Sequence, residues 1–259
     1  MAVAQGGSGK IEIFEDFVGA EWIIAETAAS GKIGSLRLIG DGIAETDSGA
    51  VSVESGGLSG VIRLTTTNED KHGVYIATPL MFDAALMGTL VLEARIRVEA
   101  VANREIFVGF SDVNADDLSL EDDLVHGGTA TITLTASDIC GFLVSSELSD
   151  STDWHTVYNG GTTTGETTST SLDVGDVIAA DVWQILRVEV APNGTAFFYI
   201  DGVAVGGSDS AKSSGVSGAM ATGVDVAAII GVESKTTTAL TLDVDYVKIM
   251  ANRDWTTTD

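Results

Sequence analysis

Residues 183–205, WQILRVEVAPNGTAFFYIDGVAV, constrain this chain more than any other stretch. Three apolar runs are joined by Asn193-Gly194 and Asp201-Gly202. Such dipeptides suit two-residue hairpin turns, whose central positions both need positive φ. Leu186, Val188 and Val190 alternate with Arg187 and Glu189, and Ala196, Phe198 and Ile200 keep the same period of two. A β-meander is expected, apolar on one face and polar on the other. Trp183, which opens it, is expected in the core.

The rest of the chain repeats this style. Short apolar runs at 11–17, 35–40, 50–55, 60–67, 73–79, 132–145, 154–158, 227–233 and 240–250 are separated by Gly, Asp or Ser turns. With 30 Gly against 2 Pro, and no long face of helical period, the composition suits many strands and few helices. Residues 89–99, TLVLEARIRVE, are the most regular: Leu90, Leu92, Ala94, Ile96 and Val98 share one face. Residues 105–110, EIFVGF, are expected to fold back on them as a hairpin through a turn at Ala102-Asn103. No linker splits the chain. The reading is one all-β domain over 11–250, an antiparallel two-sheet sandwich. An N-terminal arm (1–10) and a C-terminal tail (251–259, with Trp255) are left for intermolecular contacts.

Charge narrows the function. Thirteen basic residues stand against 38 acidic ones, a net charge of −25. Such a surface repels nucleic acid and anionic membranes, which argues against both as partners. Three explanations of the excess stay open: solubility, cation binding, and the outward surface of a large assembly. The single cysteine, Cys140, allows no intrachain disulfide and, between Ile139 and Gly141-Phe142, reads as a small buried residue. The first ten residues, MAVAQGGSGK, lack the charged and apolar regions of a signal peptide, so synthesis in a cytoplasm and exit by lysis are expected.

The order of these runs resembles the concanavalin A-like lectin/glucanase jelly rolls, laminin-G-like members included. Trp183, Asn193-Gly194, Phe197 to Ile200 and Asp201-Gly202 carry the likeness. It implies an antiparallel jelly roll in which an early strand (IEIFEDF) and the last one (LDVDYVKIM) lie side by side. The runs EARIRVE…EIFVGFSD and WQILRVEVAPNGTAFFYIDG are also similar in style to virion structural proteins of tailed bacteriophages.

That resemblance invites glycoside hydrolysis, which needs two carboxylates, about 5–5.5 Å apart in retaining enzymes. The glucanase branch supplies them from one strand as E-x-D-x-x-E on the concave face. That motif is absent; Glu15-Asp16 and the ELSD run at 147–150 do not reproduce it. No catalytic residue and no cofactor is therefore assigned. Asp112, Asn114, Asp116 and Asp117, followed by Glu121, Asp122 and Asp123, offer hard oxygen ligands for calcium, or form a solvated acidic loop. The loop lacks the Gly and Glu that would complete an EF-hand. The histidines, His72, His126 and His155, share no metal-ligand spacing. Trp154 is the best candidate for an exposed sugar platform, with Asp153, His155 and Asn159 lining a binding edge.

Two functions of different class are thus expected. One is a non-enzymatic capsid-decorating or auxiliary head protein of a bacteriophage virion. It would dock on the major capsid protein or other virion subunits through its termini and a sheet edge, as a homo-oligomer, with a trimer as the guess. The other is a lectin-like carbohydrate-binding module for attachment to host glycans. A degenerate glycoside hydrolase is the third reading.

Overall fold

The computed structural model describes residues 3–4, 9–19, 22–24, 31–43, 51–54, 60–165, 173–206 and 215–253. The expected all-β jelly-roll sandwich is what forms: two nine-stranded antiparallel sheets pack face to face. In the front sheet the strands run in the order Val3–Ala4, Lys10–Glu15, Thr241–Asn252, Leu90–Arg97, Gln184–Val190, Ala196–Ile200, Val203–Val205. The strands Ile62–Thr65 and Val51–Val53 extend it beside the first half of Thr241–Asn252. The back sheet runs Asp173–Val177, Asp153–Asn159, Ile139–Ser145, Arg104–Ser111, Ala227–Ser234, Gly73–Ala77, Leu36–Ile39, Gly31–Ile33, Trp22–Ile24.

The early and late strands are neighbours, as the resemblance implies. Lys10–Glu15 pairs with the end of Thr241–Asn252, placing Ile13 opposite Ile249. Residues 90–97 keep their alternation, with Leu92, Ala94 and Ile96 buried and Glu93, Arg95 and Arg97 half-buried on the outside. Their inner side chains meet those of the meander, Leu92 opposite Val188 and Ala94 opposite Leu186. Between the sheets the largely aliphatic core includes an aromatic cluster. Phe142 makes edge contacts with Trp154 at 6.0 Å and Phe198 at 5.6 Å between ring centroids, a preferred geometry for such rings.

The expected hairpin of 89–99 with 105–110 does not form. Leu90–Arg97 lies in the front sheet and Arg104–Ser111 in the back sheet, paired with Ile139–Ser145 and Ala227–Ser234. The turn at Asn103, with φ 62°, carries the chain across the sandwich. Burial gives the reason: all eight residues of Arg104–Ser111 are buried, so the strand has two covered faces and needs a central place in its sheet.

The second cover comes from residues 112–138. Between two adjacent strands of the back sheet they pass over its outer face, through a short π-helix (Leu120–Leu124) and a two-stranded ribbon (Val125–Gly128 with Thr131–Leu134). Leu118, Leu120, Leu124 and Ile132 of this strap join Phe107, Leu143 and Ile229 of the sheet in a second apolar core.

Candidate functional site

The residues nominated for sugar binding do not converge. Trp154 is fully buried between the sheets, its Nε1 donating to Gln184 Oε1 at 3.1 Å. It has no free face for a pyranose. Strand alternation then turns Asp153 and His155 away from it, and His155 is also fully buried. The Asn159 amide donates to the strap carbonyl of Ala136 at 3.1 Å. Trp183 departs from expectation in the opposite sense. It shares the parity of Ile185 and Arg187, so it lies half-buried on the outer face of the front sheet, against the guanidinium groups of Arg95 and Arg97 at 4.7 and 4.8 Å. Trp255 lies outside the described residues.

Three of the four nominated calcium ligands have partners within the protein. Asp112 Oδ1 accepts from the Asp138 amide at 3.1 Å, while Asn114 Nδ2 donates to the Thr78 carbonyl. Arg37 donates to both Asn114 and Asp116, so an internal guanidinium already neutralises this turn. Asp117 points to solvent. Among the described residues, no group of three or more His, Cys, Asp or Glu could hold a metal ion. Of the adjacent pair Glu15-Asp16, Glu15 is buried and accepts from the Phe17 and Ser35 amides.

A different set of acids is gathered under the strap. Glu105 and Glu233 stand directly opposite each other on neighbouring central strands, both fully buried. Glu233 Oε2 accepts from Tyr75 Oη at 2.9 Å, Ser119 Oγ at 3.0 Å and the Leu120 amide. Glu105 Oε1 accepts from the Gly127 amide at 2.7 Å. Lys235 Nζ is hydrogen-bonded to Glu121 and lies 3.2 Å from Glu147, 3.6 Å from Glu105 and 3.7 Å from Glu233. One buried ammonium thus faces four carboxylates. Burial pushes the Glu105 carboxyl up to about 8 and Glu233 to about 6, with Lys235 opposing both shifts. Burial also acts to raise Glu121, but hydrogen bonds from Lys235 and Lys71 outweigh it and hold that carboxyl below its usual value.

Raised carboxyls beside a lysine and a tyrosine form an acid–base set, yet no solvent reaches Glu105, Glu233 or Tyr75. What the set does here is fasten the strap: the Ser119, Leu120 and Gly127 contacts all run from strap to sheet. Sequence reading missed these residues. The available signal is a single acid at the end of an unalternated apolar run, first in EIFVGF for Glu105 and last in AAIIGVE for Glu233. A charge there is buried with partners or is not tolerated.

The outer face of the front sheet is open. Its ion pairs form a network: Arg63 with Glu54, Glu99 and Asp243, Arg97 with Asp243, Arg95 with Asp245, and Arg187 with Glu93 and Glu189. A hollow of about 280 Å³ lies among Glu93, Ile185, Arg187, Glu189, Tyr199 and Gly202.

No family model matches the chain, and no curated protein matches its sequence. Solved structures do. A Shewanella oneidensis protein of unknown function superposes with a TM-score of 0.54 at 14% identity, covering 99% of this chain and 93% of its own. A Bacillus licheniformis β-glucanase gives 0.52 at 14% identity, over 92% of this chain and 97% of the enzyme. The carbohydrate recognition domain of Emp47p gives 0.50 at 12% identity, over 83% and 94%. At these identities the likeness is one of architecture. The chain has the concanavalin A-like jelly-roll fold, shared by lectin domains and glucanases.

Proposed function

We propose that this chain is a non-enzymatic structural protein of a bacteriophage virion, a capsid-decorating protein docked on the major capsid protein or another virion subunit. The observation that supports it best is the closed back sheet. The strap and its second apolar core cover that face, and the sheet's paired acids are used to hold the cover down. A scaffold closed in this way offers its edges, ends and front face for docking. The acidic exterior suits an exposed protein that must stay soluble at high local density. The phage assignment itself rests on the likeness of residues 93–112 and 183–202 to virion proteins. The test is mass spectrometry of virions purified from the phage that encodes the chain. The protein is expected in every preparation at a fixed ratio to the shell subunit; its absence sinks the reading.

A lectin-like role is the second reading, favoured by the jelly roll and by the open hollow at Tyr199. There an aromatic ring stands beside Glu93 and Glu189, and acidic side chains accept hydrogen bonds from sugar hydroxyls. A glycan array is expected to show binding that Tyr199→Ala abolishes. An array without hits removes this reading and leaves the first intact.

A further inference from the structure

Among the residues with described side chains, every aromatic ring that is not buried lies on one surface, the outer face of the front sheet. These rings are Phe14, Trp183, Phe197, Tyr199 and Tyr246. Strand alternation does the sorting: Phe198 and Ile200 point into the core, Phe197 and Tyr199 away from it. Register then sets five outward side chains in a line across five strands. Tyr199 stands opposite Arg187, Arg187 opposite Glu93, Glu93 opposite Lys248, and Lys248 opposite Phe14. The line reads aromatic, cation, acid, cation, aromatic.

At one end the Arg187 guanidinium stands over the Tyr199 ring at 5.8 Å, beside the open hollow. At the other end the exposed Phe14 ring lies 5.8 Å from that of Tyr246, whose Oη donates to Glu93 Oε1 at 3.0 Å. Four strand spacings of about 4.8 Å put the two ends roughly 19 Å apart. The face also differs from the rest of the chain in charge. Arg63, Arg95, Arg97, Arg187 and Lys248 are each ion-paired with an acid of this same face. Its charges are close to balance, in a chain of net charge −25.

Building on the lectin-like reading, we propose that this face binds an uncharged polysaccharide chain, laid across the strands from the Tyr199 hollow to the Phe14–Tyr246 pair. Charge and hydration select the occupant. An anionic polymer meets a molecule of net charge −25 whose cations on this face are already neutralised, and a cationic one is drawn to the unmatched acids elsewhere. A protein partner would have to take the ion pairs out of water, a cost their mutual attraction does not reliably recover. Sugar hydroxyls both donate and accept, so they bond to carboxylate and guanidinium groups while the pairs stay intact. The apolar face of a pyranose ring covers an aromatic ring at each end of the line. The hollow, at about 280 Å³, lies just under the usual range of small-molecule sites and suits a single sugar ring, and further units of the chain follow the line beyond it.

Native electrophoresis of the full chain tests it, through gels carrying neutral polymers (hydroxyethylcellulose, mixed-linkage β-glucan, xylan, galactomannan, glycogen) or anionic ones (alginate, polygalacturonate). Retardation by at least one neutral polymer and by neither anionic one is expected, unchanged as salt rises from about 0.05 to 0.5 M. In calorimetry, hexasaccharides of the retarding polymer should bind about 10-fold more tightly than its disaccharides. Phe14→Ala should remove that gain while leaving disaccharide affinity and melting temperature unchanged, and Tyr199→Ala should abolish binding at every length. The wild-type length series decides alone if Phe14→Ala melts early. Equal affinity at every length, retardation by an anionic polymer that salt weakens, or a stably folded Phe14→Ala protein that keeps the gain overturns the proposal and leaves the lectin-like reading standing. Retardation by none of the neutral polymers also overturns it, and the glycan array then decides the lectin-like reading separately.

Discussion

Lys235 is the residue on which the buried acids depend. Replacing it with Met leaves Glu105 and Glu233 without their ammonium in a site that water does not enter. The expected loss is about 3–5 kcal/mol in urea unfolding at pH 7, the usual consequence of breaking a buried charge cluster from one side. The acids themselves predict a pH dependence. Both have folded values raised above their ordinary 4.5, so the folded chain holds these protons more tightly than the unfolded one. Their contribution to stability is complete below about pH 4.5 and declines as pH rises through about 6 for Glu233 and about 8 for Glu105. Stability should therefore fall between about pH 4.5 and 8, most steeply below about pH 6 where both groups contribute. Glu105→Gln, which cannot ionise, should flatten that fall in a series of thermal melts; an unchanged slope would show that Glu105 does not carry the burial penalty.

At the scale of elements, the two turns of the meander differ although their sequences look alike. The Asp201-Gly202 turn is the two-residue hairpin expected, with φ of 50° and 80° at its central residues. The Asn193-Gly194 turn is not. Only Gly194 has positive φ, Gly194 N bonds back to the Ala191 carbonyl, and five residues separate the strands. Pro192 explains the change, because its fixed φ suits the second position of a type I turn. Ala at Gly202 meets open space and should lose about 1 kcal/mol of stability from backbone strain alone. Ala at Gly194 would place its Cβ 2.3 Å from the Met220 carbonyl oxygen and should lose about 2 kcal/mol or more. The strap gives a further expectation. Leu124→Asp puts a charge into the second core and should expose residues 112–138 to limited proteolysis while the sandwich stays intact.

What was legible from sequence follows the same division. Alternating strands that face water on one side, residues 90–97, 184–190 and 196–200, have the faces expected, because a period of two survives in the sequence; Trp183, just before the second of them, does not. Strands covered on both sides carry no such period, so the partner of Arg104–Ser111 was misassigned. The acidic strap looked like a solvated or calcium-binding loop because its charges are more conspicuous than Leu118, Leu120 and Leu124 between them. Trp154 reads as exposed from its polar neighbours, whereas its place in the core is set by the pairing of its strand with Ile139–Ser145 and by Gln184 of the facing sheet, 30 residues on.

For the whole molecule, charge and closure act together. The acidic exterior favours separation of copies, while the second core covers the outer face of the back sheet. The acids under the strap are engaged in holding it to the sheet. The direct check is hydrogen exchange of the Leu120 and Gly127 amides, whose N–H groups are held by Glu233 and Glu105. If the strap is a permanent roof, both amides should be as strongly protected as those of the central strands Arg104–Ser111 and Ala227–Ser234. Exchange of both within seconds, while those strands stay protected, would mean that the strap opens freely and that the acids beneath it meet solvent, contradicting the account.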